Sequence, residues 1–266
     1  MKRTINVADI RKFANLEFLA KQLVEGFITG LHQSPYHGFS VEFSEHRLYN
    51  SGESTRHIDW KVFARTDKLF VKRYEEETNL RCHLLLDVSP SMYYPLDSFG
   101  KISFSALSAA AIATMLQKQR DAVGLVTFSD KVELQTPVKS TGSHLHTLML
   151  YLQQLLNEAP AAKTTDVATV IHQIAQSIPK RSLVIIFSDM MSRGEETDAI
   201  FAALQHLKHQ KHEVLLFHVM DKATEEDFDF EERPYLFEDV ETGEQIKLQP
   251  SQVKEQYHKA IHAYKH

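Results

Sequence analysis

Residues 80–92 carry oxygen-bearing side chains that could bind a metal ion. Asp87, Ser89 and Ser91 are spaced by two positions and follow the apolar run Leu84 to Leu86. Such a run is typical of a strand buried on both faces at the centre of a parallel sheet. Asp87 would then lie at the carboxyl end of that strand, where open α/β sheets place their ligand sites. An all-oxygen set suits a hard cation such as Mg²⁺, with Mn²⁺ or Ca²⁺ as alternatives.

Two further loops carry polar side chains that the predicted sheet would bring to the same edge. Thr164, Thr165 and Asp166 precede a predicted helix, and Ser188 and Asp189 end a predicted buried strand. Each loop alone is ordinary, since Asp, Ser and Thr are common cap and turn residues. Together they indicate a site in which two or three side chains and several waters surround Mg²⁺. Few of the direct ligands would be charged, so an open position on the ion would attract a carboxylate from a partner protein.

Hydrophobic periodicity predicts the elements that position these loops. Strands alternate with helices from residue 80 onward, which favours an α/β fold with a doubly wound, mostly parallel sheet flanked by helices. The predicted strands cover 80–87, 122–128, 181–188 and 213–219, with a hairpin arm at 132–134. The predicted helices cover 101–119, 144–156, 167–178, 195–209 and 251–264. An acidic loop at 223–234 and a hairpin of 235–237 with 245–248 precede the last helix.

Residues 1–78 differ from the rest and are expected to pack on a main domain that spans 79–266. An amphipathic helix is predicted within 7–32, whereas 38–77 lacks a helical period and is expected to form short strands and turns. Trp60 is the only tryptophan and is expected to be a buried anchor, with Asp59 paired to Arg56 or Arg65. The alternative is that this segment forms a surface on which a partner docks.

Composition excludes several classes of protein. The 266 residues are 43% hydrophobic, which is sufficient for a packed core, and the net charge of −5 gives no general field for nucleic acid. The single cysteine, Cys82, excludes an internal disulfide and a cysteine-based zinc cluster. No apolar run approaches the roughly 20 residues that span a bilayer, and no signal peptide is recognisable at the start. We therefore expect a cytoplasmic protein without a membrane span.

Two other groups of side chains could suggest function but have simpler explanations. His206, His209 and His212 are spaced by three without a His-Glu-x-x-His pattern, and we expect them to be solvated near a helix end. The acidic run from Glu225 to Glu232 is expected to be a solvated loop. Cys82, within a predicted strand, is expected to be buried and inert.

The sequence resembles two known families. Asp87-Val88-Ser89-Pro90-Ser91-Met92, Thr165-Asp166 and Ser188-Asp189 are similar to the metal-ion-dependent adhesion site of von Willebrand factor type A domains. The upstream motifs resemble the signature of the bacterial family called domain of unknown function 58: Glu42-Phe43, Arg47-x-Tyr49, Gly52-Glu53 and Arg56-x-Ile58-Asp59-Trp60-x-x-x-Ala64-Arg65. This resemblance implies a type A-like domain in the main part of the chain. It also implies a chaperone-like or assembly role with a MoxR-type AAA+ ATPase, near whose genes such proteins are typically encoded.

The resemblance further implies that Asp87, Ser89, Ser91, Thr165 and Asp189 are the metal ligands, with Asp189 acting through a water. Two departures from the type A pattern occur. The second loop often reads Gly-Gly-Thr in those domains, whereas this chain has Lys163-Thr164-Thr165, so Thr164 stays an alternative to Thr165. The third loop often reads Asp-Gly, whereas Asp189 is followed here by Met190.

Three functions are compatible with these residues. The first is a non-enzymatic module whose bound divalent cation presents an open site to a partner protein. The second is a metal-dependent hydrolase or phosphoryl-transfer enzyme that uses Asp87, and the third is a scaffold whose ion site has lost its function. Ser89 stands where a phosphoaspartate enzyme needs a second acid, and neither a Walker-type Gly-x-x-x-x-Gly-Lys nor a Gly-x-Ser-x-Gly motif occurs. We therefore expect the binding module.

Overall fold

The computed structural model describes residues 16–27, 40–49, 55, 58–77, 80–95, 100–157, 166–190, 197–240 and 242–265. The chain divides into two compact units. The smaller unit is Leu31–Leu80, and the larger comprises Met1–Gly30 and Arg81–His266. The larger unit therefore includes the first described helix, α1 (Leu16–Phe27), which lies inside the predicted range of 7–32.

The smaller unit contains an antiparallel strand pair and a short helix. Strand β1 (Ser40–Leu48) pairs with β2 (Phe70–Glu77), and helix α2 (Trp60–Thr66) lies between them in the chain. The carboxylate of Asp59 caps α2 by accepting hydrogen bonds from the backbone amides of Lys61 and Val62, at 2.9 and 3.2 Å. The prediction of only strands and turns in 38–77 was wrong here, because a capped two-turn helix is too short to show an apolar period.

Trp60 does not have the buried position that the sequence suggested. It is 60% exposed on α2, and its ring meets Phe63 edge to face with centroids 6.2 Å apart. The expectation of a buried anchor was therefore wrong. A largely exposed tryptophan is unusual, and tryptophan is enriched among residues that dominate binding interfaces. The alternative, a docking surface, is the interpretation that this exposure favours.

The larger unit is a mixed α/β structure around a five-stranded sheet with the order β5-β4-β3-β6-β7. The strands are β3 (Arg81–Asp87), β4 (Ala122–Phe128), β5 (Val132–Gln135), β6 (Leu183–Ser188) and β7 (Glu213–His218). Four of them are parallel, and only β5 runs antiparallel to its neighbour β4. The prediction of an α/β fold with a mostly parallel sheet flanked by helices is confirmed.

Helices cover the sheet in two groups. They are α3 (Gly100–Lys118), α4 (Gly142–Leu155), α5 (Val167–Ser177) and α6 (Thr197–His209). Helix α3 packs on α1 and α4, whereas α5 packs on α6. Leu85 of the central strand β3 belongs to the core cluster formed with α5 and α6. Successive strand residues point to opposite faces, so Leu84 and Leu86 face the other layer, and all three are 0% exposed.

The chain after β7 forms a separate set of elements. One π-helical turn (Lys222–Glu226) corrects the prediction of a plain loop at 223–234, and it begins after Asp221, whose carboxylate accepts from the amide of Thr224 at 2.9 Å. The hairpin of β8 (Tyr235–Glu238) and β9 (Gln245–Leu248) and the last helix, α7 (Pro250–Lys265), are confirmed. Throughout the described part of the chain, no helix combines the length and apolar character that crossing a membrane requires.

Candidate functional site

The first and third predicted loops meet at the carboxyl edge of the sheet. Because β3 and β6 are neighbouring parallel strands, Asp87 and Ser188 end side by side. Asp87 is 1% exposed, and both of its carboxylate oxygens accept hydrogen bonds. The amide of Ser89 donates to Oδ1 at 2.9 Å, and the hydroxyl of Ser188 donates to Oδ2 at 2.6 Å. The carboxylate is thus fixed between the two loops.

The two serines after Asp87 converge on each other. A short 3₁₀ turn (Pro90–Tyr93) follows Ser89, and the hydroxyl groups of Ser89 and Ser91 are hydrogen-bonded to each other, with their oxygens 3.0 Å apart. Octahedral Mg²⁺ with ligands at about 2.1 Å places adjacent ligand atoms about 3.0 Å apart. The serine pair therefore has the spacing that two adjacent ligands of one such ion require.

Asp189 is also buried, but its carboxylate is bonded to a lysine outside the predicted ligand set. Asp189 is 2% exposed, and its Oδ2 accepts from the ammonium of Lys101 at 2.8 Å. Lys101, in the first turn of α3, is itself 4% exposed. The same ammonium also donates to Oε1 of Glu225, at 2.5 Å. Glu225 is thus not part of a solvated acidic loop, and that expectation was wrong.

A sequence signal for Lys101 did exist. It precedes Ile102 and lies four residues before Ser105, on the apolar, small-residue face of α3 that packs into the unit. A lysine on a buried face requires an acidic partner. No comparable signal distinguished Glu225 from the other acids of its run, because the π-helical turn alone turns that side chain inward.

Burial and charge explain the electrostatics of the site. Burial, followed by the nearby charge of Asp189, raises the pKa of Asp87 to about 7, although hydrogen bonds from Ser188 and Ser89 oppose the rise. Burial alone would lower the pKa of Lys101, but Asp189 and Glu225 outweigh it and raise that pKa. The three carboxylates and one ammonium carry a net charge of −2 when all are ionised. A divalent cation would neutralise this charge, so the charges also fit such an ion.

The ligand types limit which metal the site could hold. Among the described residues, no group of three or more His, Cys, Asp or Glu side chains is arranged to hold a metal ion. The candidate site therefore depends on Ser89 and Ser91 beside Asp87, which is an oxygen set for a hard cation. Residues 161–165, and with them Thr164 and Thr165, lie outside the described part of the chain. Asp166 is exposed and caps α5, accepting from the amide of Thr169 at 3.0 Å.

The loop after β6 has a left-handed turn despite lacking glycine. Met190 has φ +49°, in the region that glycine adopts without steric cost and that costs other residues about 1–2 kcal/mol. Its side chain is 6% exposed and belongs to the core cluster with α5 and α6, and this burial offsets the cost. The Asp189-Met190 sequence thus adopts a backbone that Asp-Gly would also favour.

Residues near the chain end hold this loop from outside. The carbonyl of Asp189 accepts from Nε2 of His218 at 2.9 Å, and the carbonyl of Met190 accepts from the hydroxyl of Tyr264 at 2.5 Å. The hydroxyl of Tyr257 donates to the backbone carbonyl of Glu225 at 2.6 Å. The hydroxyl of Tyr264 also donates to the carbonyl of Asp189 at 3.3 Å, so helix α7 bonds the backbone of both acidic residues that contact Lys101.

His212, His206 and Cys82 each make contacts inside the larger unit or are buried there. His212 is 4% exposed and its Nδ1 accepts from the amide of Ser182 at 3.2 Å, so the expectation that it is solvated was wrong. Nδ1 of His206 lies 2.9 Å from Nδ1 of His172, which pairs α6 with α5. Cys82 is 0% exposed, and burial raises the pKa of its thiol. Its predicted burial is confirmed, and the raised pKa is that of an inert thiol.

The raised pKa of Asp87 has a measurable effect on stability. Because the pKa rises from 3.8 to about 7 on folding, the folded protein binds more protons than the unfolded chain between those values. The stabilisation is complete below about pH 4 and is lost as the pH rises through 7. We expect wild type to lose stability relative to Asp87→Asn over that window, as measured by urea unfolding in EDTA.

The difference between the two proteins is needed because His83 acts in the opposite direction. Burial, with smaller contributions from His212 and Arg81, lowers the pKa of His83 from 6.5 to about 4. His83 therefore adds stability as the pH rises through the same window. Its effect on the free energy of unfolding is the same in wild type and Asp87→Asn, so it cancels in their difference. If the difference in free energy of unfolding between wild type and Asp87→Asn stays constant from pH 4 to 8, the pKa of Asp87 is not raised by burial and by the charge of Asp189.

Relatives of the chain include uncharacterised proteins from mycobacteria. Those from Mycobacterium tuberculosis (strain H37Rv) and Mycobacterium bovis are each 27% identical to it over 206 residues, which is 77% of this chain. The match covers 63% of the length of these curated relatives.

The fold also has weak likenesses among solved structures. An aerotolerance-related membrane protein from Bacteroides fragilis, crystallised with multiple mutations to serine, shares 15% identity at a TM-score of 0.44 and covers 68% of this chain and 87% of its own. BatB, a conserved hypothetical protein from Bacteroides thetaiotaomicron, shares 14% identity at a TM-score of 0.39 and covers 68% and 85%.

A family model gives a more extensive match. It is described as "protein of unknown function DUF58", and it matches residues 45–266. This range contains α2, the whole sheet of the larger unit, Asp87, Lys101 and helix α7. The chain is therefore a member of the DUF58 family.

Proposed function

We propose that this protein is a non-enzymatic binding module that holds a divalent cation, Mg²⁺ or Mn²⁺, at the carboxyl edge of its sheet. Asp87, Ser89 and Ser91 are the central ligands, and Thr165 and Asp189 complete the set, Asp189 through a water. The proposal rests chiefly on the two serine hydroxyl oxygens, which lie 3.0 Å apart beside a buried carboxylate. When bound, the ion supplies an electrophilic position for an acidic group of a partner protein.

The resemblance to type A domains and their adhesion sites supports this proposal at the level of motif. The DUF58 resemblance adds the kind of partner, a MoxR-type AAA+ ATPase, in a chaperone-like or assembly role. A cytoplasmic location is part of the same proposal. Trp60, 60% exposed on the smaller unit, is a second place at which a partner could bind without the ion.

The alternative is a metal-dependent hydrolase or phosphoryl-transfer enzyme in which Asp87 acts on the substrate. Its burial is unfavourable to that role, because a group that is 1% exposed and accepts bonds from Ser89 and Ser188 offers little access to a substrate. Turnover of a generic phosphomonoester or carboxylic ester that requires Mg²⁺ and is lost in Asp87→Ala would favour the enzyme.

A pull-down from the native cell extract tests the proposed function. Wild type and Asp87→Ala are each used with Mg²⁺ and with EDTA. We expect a partner, specifically an AAA+ ATPase, to be retained only by wild type with Mg²⁺, because only that combination presents the ion. Equal retention in all four conditions would contradict an ion-mediated contact and direct attention to Trp60.

A further inference from the structure

Lys101 joins two distant parts of the larger unit at one nitrogen atom. Its ammonium donates to Asp189, in the loop after β6, and to Glu225, in the π-helical turn. The side chains of Lys101 and Asp189 are each 2% exposed, and that of Glu225 is 12% exposed. This ion triad is therefore almost wholly removed from water. In such a buried environment each of its contacts is strong, and the loss of one member is costly.

Glu225 is held at three of its atoms. Oε1 accepts from Lys101, Oε2 accepts from the backbone amide of Asp221 at 2.7 Å, and the carbonyl accepts from Tyr257. Tyr257 belongs to α7, so Glu225 links Lys101 to what we call the C-terminal segment, residues 221–265. Tyr264 extends the same attachment to the carbonyl of Met190.

Lys101 and a divalent ion would both be attracted to Asp189. Asp189 directly follows Ser188, whose hydroxyl donates to the Asp87 carboxylate at 2.6 Å, so an ion at Asp87 would act on both carboxylates. Such an ion attracts Asp189 and repels the ammonium of Lys101. The bond from Lys101 to Asp189 is therefore weakened when the ion binds, and by linkage that bond weakens ion binding.

We propose that Lys101 is an internal cation that competes with the divalent ion for Asp189, and that through Glu225 this competition couples ion binding to the hold on the C-terminal segment. The inference rests on the proposed ion site. In the ion-free protein Lys101 bonds Asp189 and Glu225 together and the segment is held. With the ion bound, Asp189 turns to the ion, the triad opens and the segment is loosened.

Lys101→Met tests the competition, because it keeps a chain of similar length without the charge. Titration calorimetry with Mn²⁺ alone is expected to give an affinity about 5- to 150-fold higher than wild type, the range of ordinary coupling between two sites. The matched control is Lys118→Met, which removes the same charge from an exposed position about 25 Å further along α3. Its Mn²⁺ affinity should stay within about twofold of wild type.

Hydrogen exchange tests the coupling and separates it from a general charge effect. The amides of Glu226, Asp227 and Asp229 donate backbone hydrogen bonds around the π-helical turn, so they report its opening. In wild type, Mn²⁺ should increase their exchange rates. In Lys101→Met they should exchange rapidly without Mn²⁺ and respond little to its addition. A change in electric field alone would raise the affinity but leave the exchange of these amides unchanged.

Glu225→Gln provides a second variant that keeps Lys101 on Asp189. It should loosen the same amides, which should then respond little to Mn²⁺, so the test does not depend on Lys101→Met folding well. One outcome would overturn the inference but not the proposed ion site. In it, wild type binds Mn²⁺, but neither Lys101→Met nor Glu225→Gln changes the exchange rates of these amides or their response to Mn²⁺. Absence of Mn²⁺ binding in wild type and all three variants would overturn the ion site, and this inference with it.

Discussion

Asp87→Asn should reduce the affinity for Mn²⁺ by more than about 100-fold. Residues that only support a metal ligand typically contribute 10- to 100-fold to affinity, and Asp87 is proposed as a direct, charged ligand. The amide has nearly the same shape and can still accept from the amide of Ser89, so the loop is expected to keep its position. Titration calorimetry at pH 8, where the Asp87 carboxyl group is ionised, measures the loss.

The matched control for this variant is Asp130→Asn. Asp130 is an exposed carboxylate two residues beyond the end of β4, at the same edge of the sheet, and it accepts from the hydroxyl of Ser129 at 2.9 Å. Its replacement should leave Mn²⁺ affinity within about twofold of wild type. If Asp87→Asn binds Mn²⁺ as tightly as wild type does, the ion is held elsewhere and Asp87 is only a structural group.

Leu85→Ala should lower the free energy of unfolding of the larger unit by about 2–5 kcal/mol. Leu85 is 0% exposed in the central strand and packs in the cluster with Val126, Ile171 and Ile186. Truncation leaves a cavity between the sheet and α5, because well-packed neighbours relax only partly. Urea unfolding followed by circular dichroism measures the effect. Tryptophan fluorescence would not report unfolding of the larger unit, since the single tryptophan, Trp60, belongs to the smaller unit.

Leu216→Ala serves as the control for the core substitution. Leu216 is of the same residue type but is 41% exposed on the edge strand β7, where truncation removes less buried surface and leaves no enclosed cavity. Its effect should stay below about 1 kcal/mol. Equal losses in the two variants would show that the sheet interior is not the core that fixes Asp87.

The central strands, and the polar residues at their carboxyl ends, could be predicted from the sequence for a physical reason. A strand covered on both faces must be apolar without interruption, as Leu84–Leu86 and the run in β6 are. The polar residues that end those runs then fall at one edge of a parallel sheet. Asp87 and Ser188 meet there, 101 residues apart in the chain.

Other features of the site depended on contacts that leave little trace in sequence. Lys101 and Glu225 are 124 residues apart, and Glu225 is one acid in an acidic run. The π-helical turn, capped by Asp221, directs the Glu225 side chain inward, whereas other acidic side chains of the run are exposed. Helix α2 was missed because its cap, Asp59, is its main signal. The prediction that Trp60 is buried was wrong because tryptophan is usually buried, whereas helix α2 leaves this one exposed.

The presence of Lys101 changes how the proposed ion site is understood. A buried lysine beside carboxylates can be taken as a replacement for a metal ion, but the ammonium of Lys101 bonds Asp189 and Glu225, whereas Asp87 accepts from Ser89 and Ser188. When all three carboxylates are ionised, one positive charge leaves two negative charges uncompensated in a region with little water, which is costly. This residual charge, together with the serine hydroxyl pair, is the basis for proposing a divalent ion in addition to the lysine.

A crystal structure of the protein soaked in Mn²⁺, with anomalous diffraction data, tests the central claim most directly. We predict an anomalous peak within about 2.5 Å of the Asp87 carboxylate and of the Ser89 and Ser91 hydroxyl oxygens. We also predict that Lys101 moves away from Asp189 in that crystal. Full soaking with no peak at these three residues, and Lys101 still bonded to Asp189, would contradict the account.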